Sequence, residues 1–453
     1  MGQPVILGID RIAAGEKPGI TSGLEEYDAA TSLSEPRRHC PSTSAGTHYD
    51  ILAIGPGVRH CAIIPVMSGA LGPRINDAIL GLVALEHRID PYFRDEFNKL
   101  VQRPLVNLTQ FLMRLTHRNS ETQLCQEIPV EGEDQHARTI IKLMSEFTER
   151  EYRGKIAERA GNTKTYGVVR AEFEVLADLP ANLRKGIFAS SRRFPAWVRF
   201  GGPGPLSPPD VKDAGILSIG IKLMGVPGAK LLPDETGTQD FSGISSPTFT
   251  TPNVVENVKL QRAIGAGTPV FYFINPFDSH YLDMAMQGLF ARMNTNPLEV
   301  PYWSCVPYLL GPGQAMKYSV RPRSNAKTRI PWNPPDNWLR EALTATLARQ
   351  DVEMDFLVQV QTDPKRMPIE DASIEWPESL SPFIPVARIT IPRQAVDTPE
   401  RTLLARQLSF NPWHAIEDHR PLGNQNRARR TIYFELSRLR QSMNHEAHVE
   451  PRE

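Results

Sequence analysis

The first 48 residues, rich in Gly, Ser, Pro and Thr, carry no hydrophobic period and predict an extended or disordered arm. Apolar positions then recur at helical spacing. Ile75, Ile79, Leu82 and Val83 form one stripe, Leu105, Leu108, Leu112 and Leu115 a second, and Ile140, Ile141, Met144 and Phe147 a third, so residues 49–160 are expected to be helical. The stretch from Ile51 to Leu71 is largely apolar but broken by Gly55, Pro56, Gly57, Arg59, His60 and Pro65. It predicts packing against the domain, with contact at a membrane surface as the alternative.

After Gly161 the period drops from 3.6 to 2. Apolar and charged residues alternate from Val169 to Val175, which predicts a half-buried strand. Similar runs at Trp197 to Phe200, Ile216 to Met224, Met316 to Val320, Phe356 to Gln361 and Val386 to Ile391 make at least six strands. Helical stretches near Val254 to Ile264, Tyr281 to Arg292 and Trp338 to Gln350 interrupt them. The expected fold is α+β: an antiparallel β-barrel over 161–453 with helical insertions, preceded by the helical region. No internal repeat points to a propeller or solenoid.

Composition narrows the partners. The 51 Lys+Arg balance the 51 Asp+Glu, so bulk electrostatics give no reason to expect nucleic acid. No run of eighteen apolar residues predicts a membrane span. Forty prolines in 453 residues predict stiffened connections between short elements. Cys40, Cys61, Cys125 and Cys305 are few and scattered, which predicts reduced thiols and, with no secretory pattern at Met1, an intracellular, cytoplasmic setting. Peripheral membrane contact and homo-oligomer formation stay open.

The candidate chemistry lies near the carboxyl end. From Asn424 a segment free of Pro and Gly predicts a helix of about five turns. On it Tyr433 lies about 40° around from Arg429, and Arg440 returns to within about 20°. One face thus holds a phenol and two guanidiniums. By itself this is a solvated basic helix, but a ligand wanting both groups exists: haem, whose ferric iron accepts a tyrosinate and whose propionates pair with arginine.

The spacing Arg429-x-x-x-Tyr433 with Arg440 resembles the proximal haem segment of the haem catalases. The resemblance extends to Asn162-Thr-Lys-Thr-Tyr-Gly167 leading into Ala171-Glu-Phe-Glu-Val175, to Trp197-Val-Arg-Phe200, to Ile219-Gly-Ile-Lys-Leu223 and to Asp240-Phe-x-Gly-x-x-x-Pro-x-Phe249. Tyr302-Trp-Ser, Lys317-Tyr-Ser-Val-Arg-Pro322 and Phe410-Asn-Pro-Trp-His414 are similar to the divergent short catalase-like proteins. The resemblance implies a catalase-like barrel with a C-terminal haem-ligand helix. It implies haem b as cofactor, Tyr433 as axial iron ligand, Arg429 as its partner, and Arg159, Arg199 and Arg440 on the propionates.

On the opposite side of the haem the sequence departs from the family. Asn162, or Thr163 by a one-residue offset, stands where the family has its histidine, and Ile244 where it has an asparagine. Peroxide dismutation needs a positioned base, so weak or no true catalase activity is expected. Asn162, Thr163 or Tyr166 would hydrogen-bond a bound oxygen species instead. The substrate expected is a peroxide, an organic hydroperoxide or a small apolar metabolite, entering over Ile244 and the strand carrying Val169 and Phe173. The alternative is a non-catalytic haem-binding protein or catalase relic. His414 and His419, near Glu417 and Asp418, have the spacing of a metal pair but no matching second pair, and a structural role is expected for them.

Overall fold

The computed structural model describes residues 71–451. The predicted arm, the apolar run from Ile51, and Cys40 and Cys61 lie outside the described residues. Three helices come first: α1 (Leu71–Phe97), α2 (Arg103–Thr116) and α3 (Glu133–Glu151). Strands β1 (Thr165–Val175), β2 (Arg193–Gly201), β3 (Ser218–Leu223) and β4 (Gln239–Ile244) follow, then α4 (Val254–Gly265), α5 (Val270–Ile274) and α6 (Tyr281–Phe290). The chain continues through β5 (Tyr302–Trp303), β6 (Tyr308–Leu309), β7 (Ala315–Pro322), α7 (Trp338–Leu347), β8 (Val352–Val360) and β9 (Ile384–Ile391). It ends in α8 (Pro399–Gln407) and α9 (Asn424–Asn444).

The strands form the antiparallel barrel expected from the alternating runs. Their order is β5-β4-β3-β2-β1-β9-β8-β7, and pairing of β5 with β7 closes a ring of eight, with β6 attached to β7. Alternation explains the core: Val169, Phe173, Val198, Phe200, Ile221, Phe241, Tyr318 and Phe356 point inward and are buried. Their rings pack edge-on or offset, as with Phe241 and Phe356 at 5.0 Å. The outward positions of the same strands build the site.

The first two helices sit where the stripes predicted them, but with their apolar faces outward. On α2, Val106, Thr109, Gln110 and Met113 are buried, while Leu105, Leu108, Leu112 and Leu115 are exposed. On α1 the buried residues include His87, Asp90 and Arg94, which bonds to the Ala291 carbonyl, while Leu82, Leu85 and Ile89 face out. Spacing identified the helices; it could not say which stripe the body of the protein takes.

The helix α3 behaves conventionally. Its Ile140 and Ala137 join Val254 and Val258 of α4 and Ala428 and Ile432 of α9 in one apolar cluster, against which Tyr433 and Leu436 pack. At the start of α9, Gly423 has φ 84°, and a Cβ there would collide with the Ile369 carbonyl. Asn424 then ties the helix to Glu370 and to the backbone of Val254.

Candidate functional site

Register places the outward residues of β2, β3 and β4 in rows. Arg199 stands opposite Gly220, and Gly220 opposite Ser242; Gly201, Ser218 and Ile244 form the next row. Between the bulky ends, Arg199 and Ile244, this outer face therefore carries only glycine and serine. The Ser218 and Ser242 hydroxyls are buried and make no hydrogen bond within the chain. Leaving a buried hydroxyl unsatisfied costs about 1–3 kcal/mol, so these two serines leave polar atoms in the strip without partners among the described residues.

Phe410 lies over one end of it. A Cβ on Gly220 would meet this ring at 2.9 Å, and the Arg159 guanidinium lies 5.6 Å from the ring centre. The carbonyl of Leu408, two residues earlier, accepts from Arg159 at 2.8 Å and from Arg440 at 3.2 Å. Arg199 donates to the Asn162 carbonyl at 2.6 Å and to the Thr165 hydroxyl at 2.9 Å. Arg159, Arg199 and Arg440 thus come together from the loop before β1, from β2 and from α9.

No carboxylate of the described residues lies within ion-pair distance of these three. Burial, and then the charge of Arg440, lowers Arg199 to about 10. Arg440 itself falls to about 10 through burial, and Arg159 well below its ordinary value through burial, Arg440 and Arg199. The Arg440 Nε is buried without a hydrogen-bond partner. Three clustered cations weakened by burial, two of them also by a neighbouring arginine, favour anionic charge beside them.

Tyr433 stands beside them, half-buried, and lowers the cost of charge on both Arg159 and Arg199. One turn back, the Arg429 guanidinium lies 5.5 Å from the Tyr433 ring centre and 5.2 Å from that of Phe249, held by Asn426 at 3.2 Å. Burial works against the charge of Arg429, but Tyr433 and further phenols more than offset it, and its pKa is raised.

The remaining residues divide. Asn162 is half-buried and has φ 48°. The Thr163 hydroxyl is engaged with the carbonyls of Arg159 and Gly204, at 2.7 and 2.8 Å, and so fastens the loop. Tyr166 is buried at the barrel end. Its hydroxyl and an Asp213 oxygen would both lie within 3 Å of a Cβ on Gly202, facing one another there. Burial pushes Asp213 up to about 7. Ile244 is half-buried between Ser218 and Trp303.

One expectation is corrected. Val169 and Phe173 point into the barrel core, so nothing on the outer face passes over them. The outward apolar residue of that strand is Val168, opposite Arg199, packed with Trp197, Leu408 and Phe410. Alternation has two phases, and on this strand the one that shares a face with Arg199 is that of Val168.

Sequence reasoning also missed a buried ionic cluster beneath Phe410. Lys222 donates to Glu235 and, at 2.9 Å, to Asp240. His414 Nδ1 lies 2.9 Å from Asp240 and Nε2 3.0 Å from Asp234. Burial pulls His414 down, but the carboxylates raise it to about 9. Asp240 also accepts from the backbone of Asn411 at 2.9 Å, so the cluster holds the segment that carries Leu408 and Phe410. His419 is not its partner: it accepts from the Ile187 N–H at 3.0 Å, and burial lowers it to about 4. The alternating phase that sends Lys222 and Asp240 outward was the available signal.

No family model matches the chain, and no curated protein matches it. Two catalase structures overlay on it. A fungal catalase has a TM-score of 0.47 at 13% identity, over 74% of this chain and 69% of its own. A bacterial catalase has 0.46 at 16%, over 72% and 63%, so this chain spans less than two thirds of that one.

Proposed function

We propose that the chain is a haem-dependent oxidoreductase of the catalase-like kind, acting on a peroxide, an organic hydroperoxide or a small apolar metabolite, with little true catalase activity. The observation that carries this reading is the trio Arg159, Arg199 and Arg440, buried without carboxylate partners beside a tyrosine that has its own arginine. Haem b has two carboxylates, a flat ring and an iron that accepts phenolate, so the residues fit the group. Bound there, it would supply a ferric iron at which an oxygen–oxygen bond can be cleaved.

The chain's own residues set the rest. Tyr433 would offer its oxygen to the iron, with the Arg429 guanidinium beside its ring. The three arginines would pair with the propionates, and the glycine and serine strip of β2 to β4 would let the ring lie close to the sheet. Asn162 would donate an amide hydrogen to a bound oxygen, and Ile244 and Val168 would exclude water in favour of an apolar guest. No imidazole is among these residues. Proton movement between peroxide oxygens therefore lacks its base, which is worth about 10²- to 10⁴-fold in rate.

The test is the absorption spectrum of the purified protein with haem b. A ferric tyrosinate spectrum that is lost or altered in Tyr433→Phe, with weaker haem retention in Arg440→Gln, is expected. Absence of a Soret band after haem supplementation sinks the reading. A tyrosinate spectrum with no turnover of either hydrogen peroxide or a fatty-acid hydroperoxide would favour the non-catalytic haem-binding alternative.

A further inference from the structure

Away from this face, α4, the loop after α5 and the first turn of α6 bring together Glu256, Asp278, His280 and Asp283. His280 Nε2 lies 3.1 Å from Glu256 Oε2 and 3.7 Å from Asp278 Oδ1. These atoms do not form ordinary hydrogen bonds: Nε2 and Oε2 are both buried, and neither has an aligned partner. A donor and an acceptor so close but misaligned are better described as two ligand atoms facing a common third point. Metal–ligand bonds of about 2.0–2.1 Å put neighbouring ligands roughly 3.3–3.4 Å apart at the tetrahedral angle. The observed separations bracket that value.

The surroundings are those of a held ligand set. Lys259 takes the other oxygen of each carboxylate, Glu256 Oε1 at 2.8 Å and Asp278 Oδ2 at 2.7 Å, and so aims Oε2 and Oδ1 at the imidazole without occupying the space between them. On the far side of the ring, Asp283 Oδ2 lies 3.4 Å from Nδ1. With a metal on Nε2, that contact would keep the remaining proton on Nδ1, the usual carboxylate–histidine–metal arrangement. Asp283 is 3% exposed, and its second oxygen has no partner. Tyr272, 5% exposed and with an unpartnered hydroxyl, stacks flat on the imidazole at 4.3 Å and fixes its plane. Three carboxylates against one ammonium leave negative charge over.

We infer that Glu256, Asp278 and His280 form a binding site for one divalent transition-metal ion of the zinc class, with Asp283 and Tyr272 positioning the histidine. Mixed nitrogen and oxygen donors suit zinc or cobalt(II) better than calcium or magnesium. The site clips α4 to the α5–α6 loop, and it is independent of any haem. The other buried cluster of this kind, Glu235, Asp240 and His414, is a poorer candidate because the Lys222 ammonium already bonds both of its carboxylates.

The full chain, stripped with chelator, would be dialysed against zinc chloride and assayed for bound metal, and titrated with cobalt(II) for visible bands of a four-coordinate centre. One equivalent of zinc is expected. It should be lost in His280→Ala and in Asp278→Asn, and weakened about 10- to 100-fold in Asp283→Asn. Asp278 is exposed, so Asp278→Asn keeps the fold and decides the matter even if His280→Ala does not fold. Zinc binding that is absent, or that survives Asp278→Asn unchanged, overturns the site.

Discussion

Replacing Lys222 by methionine removes the only ammonium in the buried cluster and leaves the stem volume nearly unchanged. Lys222 is fully buried, as is Glu235, and Asp240 is 1% exposed. Removing one partner from a buried ion pair costs about 3–5 kcal/mol. Here the low end applies, because Asp240 keeps His414 and the Asn411 N–H, and Glu235 keeps Thr238. The loss should also depend on pH. Burial pushes the Glu235 carboxyl up, but Lys222 and its hydrogen-bond partners hold it far below the ordinary value. In the native chain its contribution is therefore present above about pH 4.5 and is lost only as pH falls through the depressed folded value. Without Lys222, burial is opposed by less and the folded carboxyl takes up a proton more readily, which relieves the penalty as pH falls. Urea denaturation at pH 7.5 and pH 4.5 should show a deficit of about 3 kcal/mol that shrinks at the lower pH. A deficit below about 1 kcal/mol, or one equal at both values, refutes the reasoning. On the proposed haem reading, the variant should also hold haem less well, because the cluster fixes the segment whose Leu408 carbonyl receives Arg159 and Arg440.

Asp213→Asn should act in the opposite sense. Its folded pKa of about 7 is raised mainly by burial, so native stability falls as pH rises from about 3.8 to 7; the variant should melt higher than the native chain at pH 8 and match it near pH 4. Equal shifts in melting temperature at both pH values would count against that assignment. Asn162→His together with Ile244→Asn should raise oxygen evolution from hydrogen peroxide by about 10²-fold, the low end of what a positioned base supplies. Vigorous evolution by the native chain would show that these positions do not face the iron.

The barrel was legible because alternation is a local signal: the runs at Val169, Trp197 and Val386 each announce a strand that the structure contains. The two-residue strands β5 and β6 were not, since two residues carry no period. Phase was harder than period. Val168 and Val169 are equally apolar, and only pairing with Arg199 or Val198 tells them apart. The face of α9 followed from helix geometry alone, whereas the joining of Arg159 to Arg440 depends on Leu408, a carbonyl with no trace in the sequence. The outward leucines of α2 show the same limit: a stripe predicts burial, but not against what.

The closing of the barrel has a mechanical consequence. Nine residue pairs join β1 to β2, but a single pair, Ile244 with Trp303, joins β4 to β5. A ring so made does not resist deformation evenly. Parting it at this link breaks few backbone hydrogen bonds and leaves the long junctions standing, so thermal breathing concentrates there. The residue that would keep water from the proposed haem face, Ile244, therefore stands at the loosest joint of the cylinder, on a strand held firmly by six pairs on one side and by a single pair on the other.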